Sequence, residues 1–406
     1  MYYFNLYMDL KQQQEILKRT QIQEWIRDLP QKELNKILLS GKEVRGLEAK
    51  TIARQWHGLR AMKTKHPELV ERVGILYPPK HNLEQCSSLG SAKAKLALLN
   101  CISIQQVVDI TGGWGLDALV LSKEFDYCHI EQDLELQQMA ALNFDLLGLK
   151  TKTVHANGLE WIKNSLEPGT LLYADPQRRD ANKQRFISWE NYAPSPQTIL
   201  ENLNRSEVEA VLLKLSPMED LKQIADQVPG NYPLETWVVQ VKGEVKEILA
   251  LIKRNGQSKQ GVIWVDDVSL LFYEKEDGGN TVELTTEVLD QLHIPEPAFL
   301  KAAISDELAF NYGYKKLDNN SWVYTSTRAK ENGAFRNFRI KQVSRTALKK
   351  FLKPYIGKHL HVISKNYPLS ANEISARFKL KPGGEEYLIC TTQQNENLVV
   401  LAEKIP

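Results

Sequence analysis

Cysteine is scarce in this chain: Cys86, Cys101, Cys128 and Cys390 are its four, and none stand in CxxC spacing. That pattern argues against a zinc site or a disulfide framework and for small packing residues. Long apolar runs are absent too; nothing approaches the roughly 20 residues of a membrane span. The opening MYYFNLYMDLKQQQ has neither a cationic lead nor a long apolar stretch, so a soluble, cytoplasmic protein without membrane contact is expected. Charge of one sign is not in excess, with a net of +2 and a charged fraction of 25%, which is ordinary for soluble proteins. His359 and His361 alternate on a strand pattern with no third ligand nearby, so no metal is expected. No internal repeat is visible.

What is present is enough for several cores: 406 residues, 42% of them hydrophobic, point to two to four domains. From Gln21 to about Val70 the apolar residues Ile22, Trp25, Ile26, Leu29 and then Leu34, Ile37, Leu38 recur at helical spacing. Pro78-Pro79 closes this lead, and LEQCSSLGSAKAKLALLN reads as a loop entering a helix with Ser91 as N-cap. Beyond Cys101 the style changes to QQVVDI, DALVLSKE, YCHIE, ELQQMAALNFDLLG, KTVHA and LLYADP. Strand alternating with helix is the grammar of a doubly wound parallel sheet. AVLLKLS, TWVVQV and GVIWVDD extend that sheet, with KEILALIKRN as a helix before the last. The expected architecture is α/β: a helical N-terminal segment over 1–100, a Rossmann-like sheet over 101–275, and two small α+β modules over 276–323 and 324–406. In the middle module one helix is expected from Pro297 to Ala309. In the last, RNFRIKQV is a strand, SRTALKKFLKPY a helix capped by Ser344, HLHVISK a strand, SANEISARFKL a helix and EYLICTTQ a strand.

The segment VVDITGGWGLDALVLS sets Asp109, Gly112, Gly113 and Gly115 between a buried strand and a helix. Such glycines permit a tight turn and close approach of a ligand to backbone at a helix N-terminus. Gly113, Gly115 and Ala118 also satisfy G-x-G-x-x-A, with Glu131 or Asp133 near the place of a ribose acid, so a nicotinamide or flavin enzyme is a rival reading. Charge favours a different ligand: Asp109 would repel a pyrophosphate and attract the ammonium and sulfonium of S-adenosylmethionine. Glu131 would then accept from the ribose hydroxyls, and Asn157 would meet the adenine amine. The plainer role for Asp109 and Asp117 is to cap the following helix.

The run LLYADPQRRD ends an apolar strand with a carboxylate, a donor-free proline and two arginines. Asp175 would lie at the carboxyl end of its strand beside the glycine loop, where open α/β sheets bind ligands. An exocyclic amine bonded to the Asp175 carboxylate and the Pro176 carbonyl would have its lone pair turned toward a sulfonium methyl, leaving catalysis mostly to positioning. Gln177, Arg178 and Arg179 follow as substrate contacts, the arginines clamping a phosphate or stacking on a base.

VVDITGGWGLD, HIEQD, HANGLEW and YADPQRRD, in this order, resemble the motifs of class I S-adenosylmethionine-dependent methyltransferases. With LEQCSS, IPEPAFLKAA and FRNFRIKQV, the wider chain resembles a bacterial family of such enzymes with a ferredoxin-like module and a C-terminal THUMP-like domain, over most of residues 50–395. The resemblance implies a methyltransferase core and an RNA-directed accessory domain. It assigns Asp109, Thr111, Gly112, Gly113 and Gly115 to the cofactor loop, with Asp117 close by, Glu131 to the ribose, and Asp175 with Pro176 to the acceptor. One departure stands out: amine methyltransferases follow Asn/Asp-Pro with a second proline and an aromatic, where this chain has Gln177 and Arg178. Base stacking would have to come from Trp114, Trp161, Trp189 or an arginine plane. A DPxR run also resembles enzymes that methylate pyrimidine carbon 5 through a cysteine, for which Cys86 is the nearest candidate.

From Arg336 to Lys381 the chain holds twelve Lys or Arg and one acid, Glu373, interleaved with Phe335, Phe338, Phe351, Tyr355, Tyr367 and Phe378. Without acids to neutralise them these cations repel one another unless a polyanion is present, which makes RNA the expected partner and Arg336, Arg339 and Lys341 substrate contacts. The sequence therefore predicts an S-adenosylmethionine-dependent methyltransferase acting on a nucleobase, with an exocyclic amine of structured RNA as acceptor. A non-catalytic RNA-binding protein and an NAD(P)-dependent oxidoreductase are the alternatives.

Overall fold

In a computed structural model the chain is described over residues 2–178, 189–276, 281–330 and 333–405. It divides into two compact units, the first made of residues 1–241, 246–259 and 265–270, the second of 242–245, 260–264 and 271–406.

The first unit opens with helices, among them Thr20–Asp28, Gln31–Ser40 and Ala49–Lys65. Ile22, Ile26, Leu34, Ile52, Trp56 and Leu59 form a core with Trp114, Leu116, Met139 and Leu142. The helical lead is thus packed into the same unit as the glycine loop. The helix Leu89–Leu99 is capped by Ser88, whose hydroxyl accepts from the Ser91 amide. Ser91, expected as the cap, sits one turn inside instead, because Ser88 is the residue in extended conformation.

Seven strands of this unit are β1 (Gln106–Asp109), β2 (Asp126–Glu131), β3 (Thr151–His155), β4 (Thr170–Ala174), β5 (Val208–Leu215), β6 (Leu234–Val241) and β7 (Glu244–Lys253). Their order is β6-β7-β5-β4-β1-β2-β3. The run from β5 to β3 is parallel, and β7 joins β5 antiparallel. This is a Rossmann-like sheet. β1, where the strand order reverses between β4 and β2, is the switch point at which such sheets open a crevice. The core around it is Val108, Ile130, Leu172, Val211, Leu213 and Ile248 with their neighbours.

KEILALIKRN, expected as a helix, is β7. Lys242 and Gly243, both at positive φ (51° and 81°), form the two-residue turn that returns a strand antiparallel to its predecessor, and Ile248–Ile252 are fully buried there. A run apolar throughout carries no periodicity that separates a buried strand from a helix.

The second unit contains a seven-stranded sheet in the order Lys315–Lys316, Tyr324–Ser326, Gln291–Pro295, Phe335–Ser344, Glu396–Lys404, Glu386–Gln393, His361–Ser364. Strands expected in separate modules at 276–323 and 324–406 are therefore joined: Gln291–Pro295 pairs along Phe335–Ser344 with Leu292 opposite Phe338. GVIWVDD forms the strand Lys259–Val265, whose residues 260–264 belong to this unit. Pro297 to Ala309 forms two short helices, Pro297–Lys301 and Ser305–Asn311. Ser344 ends a strand, and the helix after it is Leu348–Phe351 with Ala347 at its N-cap. Ser370 makes a capping box with Glu373 on the helix Ala371–Phe378. No described helix is long and apolar enough to cross a membrane, and no cluster of three metal-ligating side chains occurs among the described residues.

Candidate functional site

A cleft of about 620 Å3 opens at the carboxyl ends of β1, β2 and β4. Asp109, Thr111, Gly112, Gly113, Gly115, Asp117, Glu131, Asn157, Asp175, Gln177 and Arg178 all line it. Pro176 lies between lining residues without lining the cleft itself. Arg179 falls outside the described residues.

The glycine loop needs its glycines for distinct reasons. A Cβ on Gly112 would stand 2.3 Å from Nε2 of His129, and one on Gly115, at φ +83°, would stand 2.4 Å from the Phe144 ring. His129 is fully buried under the loop, 3.1 Å from the Gly113 carbonyl. Burial pushes its pKa down to about 4 despite that contact and others with the backbone of Gly112 and its own chain, so the ring is neutral at ordinary pH. Gly113 turns at φ +55° and donates its amide to Glu131 Oε2 at 2.7 Å, while Asp133 donates to Oε1 at 2.7 Å. Gly158, in HANGLEW, has no room for a side chain: its Cβ would meet the Ile110 carbonyl at 2.3 Å.

Asp109 does not cap a helix. It is 3% exposed; Oδ2 accepts from the Tyr127 hydroxyl at 2.8 Å and Oδ1 from the Thr111 amide at 3.0 Å. Burial drives its pKa up to about 7, against those two hydrogen bonds and with the charges of Asp117 and Asp175 adding to the rise. Both oxygens are committed inward, so Asp109 acts on the cleft through its charge and through the loop it anchors.

Asp117 occupies a helix N-cap without a capping hydrogen bond. Its carboxylate accepts from Ser87 at 2.9 Å and Tyr173 at 2.7 Å, and pairs with Lys95 at 3.2 Å. Burial would raise its pKa, but Lys95, Lys214, Tyr173 and Ser87 together hold it below the usual value. Lys95, fully buried, also pairs with Glu247 at 2.8 Å; burial alone would lower its pKa, and the two carboxylates overcome that. Asn157 caps the helix Gly158–Ile162, its Oδ1 accepting from the Glu160 amide at 3.2 Å, which uses one of that oxygen's two lone pairs and leaves its amide nitrogen as a further donor.

Asp175 follows β4, and its amide donates to Thr111 Oγ1 at 2.7 Å, tying the acceptor motif to the cofactor loop. Lys214 of β5, opposite this position in the parallel register, forms an ion pair with Asp175 Oδ2. Burial would lower the Lys214 pKa; Asp175, Glu247 and Asp117 raise it instead, so Lys214 stays charged and, among the described residues, leaves Oδ1 as the acceptor for a ligand. Of the stacking candidates, Trp189 is fully buried, and Trp114 is 6% exposed with its indole bonded to the Leu76 carbonyl. Trp161 packs against the central core under Lys152. The arginine plane that remains on the cleft wall is Arg178, exposed beside Gln177. Cys86 lines the cleft and donates to the Leu83 carbonyl at 3.0 Å; burial raises its pKa, which keeps it a thiol.

Lys95, Tyr127, His129, Tyr173 and Lys214 hold the site and were not singled out from the sequence. Signals existed: Tyr127, His129 and Glu131 alternate on one face of an apolar strand, and Lys214 interrupts a buried one.

In the second unit, Arg336 and Arg339 share a separate cleft. Lys341 does not belong to it. Its ammonium pairs with Glu386 at 3.0 Å and with Glu403, acids contributed by strands that follow the basic block.

Residues 335–404 match the family described as THUMP domain-like. The chain is similar in structure to a candidate methyltransferase from Porphyromonas gingivalis W83, over 97% of this chain and 98% of that one, at 24% identity and a TM-score of 0.76. Partial matches include an rRNA methylase from Streptococcus thermophilus (41% of this chain, 95% of that one, 13% identity, TM-score 0.31). Another is a candidate methyltransferase from Streptococcus mutans in complex with SAH (40% and 95%, 13% identity, TM-score 0.30). No curated protein matches the sequence.

Proposed function

We propose that this chain is an S-adenosylmethionine-dependent methyltransferase whose acceptor is a nucleobase of structured RNA, with an exocyclic amine as the reacting group. The observation that carries the reading is the charge of the first cleft. Asp109, Asp117, Glu131 and Asp175 line it, with Lys95 and Lys214 paired to Asp117 and Asp175 from behind, and Arg178 is the one cation among its described lining residues. The Gly113 amide, which a dinucleotide fold would point at a diphosphate, is bound to the Glu131 carboxylate. An anionic pocket of this kind favours a cationic amino-acid tail over a diphosphate, and its volume is in the range of small-molecule sites.

S-adenosylmethionine, when bound, supplies an electrophilic methyl group. Glu131 would receive the ribose hydroxyls in place of one loop amide, and Asp109 would favour the ammonium through its charge. Asp175 Oδ1 and the Pro176 carbonyl would accept from the acceptor N–H groups and orient the nitrogen lone pair. Lys214 keeps Asp175 fixed and Thr111 keeps its backbone in place, so the gain comes from positioning. The proton leaves to water after transfer, and no general base is required. Gln177, Arg178 and Arg179 would contact the RNA at the rim. The protonated state of Cys86 weighs against a cysteine nucleophile and carbon methylation.

The test is transfer of labelled methyl from S-adenosylmethionine to RNA, followed by nucleoside analysis of the product. Label on an exocyclic amine, lost in Asp175→Ala while S-adenosylhomocysteine still binds, is the expected result; label on carbon 5, or cofactor binding lost with Asp175, would contradict it.

A further inference from the structure

The second unit has a cleft of its own, about 950 Å3. Arg328, Arg336, Arg339 and Lys404 line it, Lys330 adds a fifth cation, and Glu296 is the one carboxylate among the described lining residues. Strand register gathers three of them from two stretches of sequence: Arg336 and Arg339 share one strand, opposite Ile294 and Gln291, while Lys404 faces Phe338 between them on the other flank. This site therefore differs from the basic block read along the chain, since it takes in Arg328 and Lys404 and omits Lys341.

Among the described residues, no carboxylate pairs with Arg328, Arg336, Arg339 or Lys404. Lys341, on the same strand as two of them, has two partners, so the strand is not simply short of acids. The Nε of Arg336 is buried without an acceptor, a state that costs free energy until an acceptor arrives. Concave walls carrying one sign of charge focus the potential on an anion, and guanidinium forks match the paired oxygens of phosphate. The volume exceeds that of a phosphate alone and suits a nucleotide.

We propose that this cleft binds the phosphate of a nucleotide through Arg328, Arg336, Arg339 and Lys404. The source is either a free mononucleotide or a phosphodiester of an RNA strand; the second rests on the methyl-transfer reading, the phosphate site itself does not.

The full chain is titrated with AMP and with a labelled single-stranded RNA of about ten nucleotides. Three variants are compared: Arg336→Gln with Arg339→Gln, Lys404→Gln alone, and Lys349→Gln with Lys350→Gln, which removes equal charge at exposed positions outside the cleft. The expected result is a loss of roughly tenfold or more for the arginine pair and a smaller loss of roughly threefold for Lys404→Gln, against less than about twofold for the lysine pair. Sensitivity in the AMP titration identifies a free nucleotide as source, and sensitivity confined to the strand identifies the diester. Equal losses in all variants, no loss in the arginine pair or Lys404→Gln, or no binding of either probe by the unsubstituted chain overturns the proposal. S-adenosylhomocysteine affinity, measured on the same proteins, stays constant if the arginine pair folds; should that variant fail to fold, Lys404→Gln decides. Absence of S-adenosylhomocysteine binding in every protein, with the phosphate pattern intact, defeats the methyl-transfer reading alone.

Discussion

A single buried carboxylate sets the pH behaviour of the first cleft. Asp109, with its pKa pushed up to about 7 by burial, is half protonated near neutrality, and a ligand ammonium draws on its ionised form. Affinity for S-adenosylhomocysteine, which keeps the ammonium, should therefore rise by about tenfold between roughly pH 6 and pH 8. A flat profile in calorimetric titrations at those values would remove Asp109 from the binding energetics. The sign for stability is opposite: a carboxyl with a raised folded pKa holds its proton better in the native chain, so its contribution declines as pH climbs from the usual carboxylate range to about 7. Glycine identity is the other residue-scale constraint. Gly112→Ala drives a methyl into the fixed His129 ring and should cost about 1–3 kcal/mol by overpacking. Gly113→Ala meets nothing nearer than 3.8 Å and should cost only about 1 kcal/mol, through its positive φ. Thermal unfolding of the two variants should rank them in that order; the reverse order would mean the loop adjusts freely.

At the level of elements, the cleft is braced from below by charge. The helix Leu89–Leu99 supplies Lys95, the segment after the glycine loop supplies Asp117, and β7 supplies Glu247. Lys95→Met leaves two carboxylates without their buried partner and should destabilise the first unit by about 3–5 kcal/mol. Adding Glu247→Gln to it should recover part of that loss, read by chemical denaturation; no recovery would show that Glu247 is not coupled to Lys95. Which elements were legible followed from physics of short range. β1, its glycine loop, the helix of SANEISARFKL and the strand ends bearing Glu131 and Asp175 were readable because turn, helix-period and strand-end chemistry are local. β7 was not, since an apolar run has no period to read until its turn and its burial are known. The caps at Ser88 and Ala347 depend on which residue turns extended, and a one-turn error in either leaves the helix itself correctly placed. Lys95 and Lys214 were missed because their partners lie at least 22 residues away, at Asp117 and Asp175, a distance over which spacing in the sequence carries no information.

Across the whole molecule, the first unit carries a Rossmann-like sheet with a carboxylate-lined cleft, and the second carries residues 335–404, which match the THUMP-like family, with a cationic cleft. Opposite charges in the two clefts match the two ends of the proposed chemistry, a cationic donor and a polyanionic acceptor. A ligand that binds only the folded first unit at a hundred times its dissociation constant stabilises it by about 2.7 kcal/mol. Its unfolding midpoint should then move up by roughly 5–10 °C. The most direct measurement is calorimetry of the full chain with S-adenosylhomocysteine and with NADH under one set of conditions. Saturable heat with S-adenosylhomocysteine and none with NADH is what a carboxylate-lined switch point predicts; saturable heat with NADH and none with S-adenosylhomocysteine would contradict it.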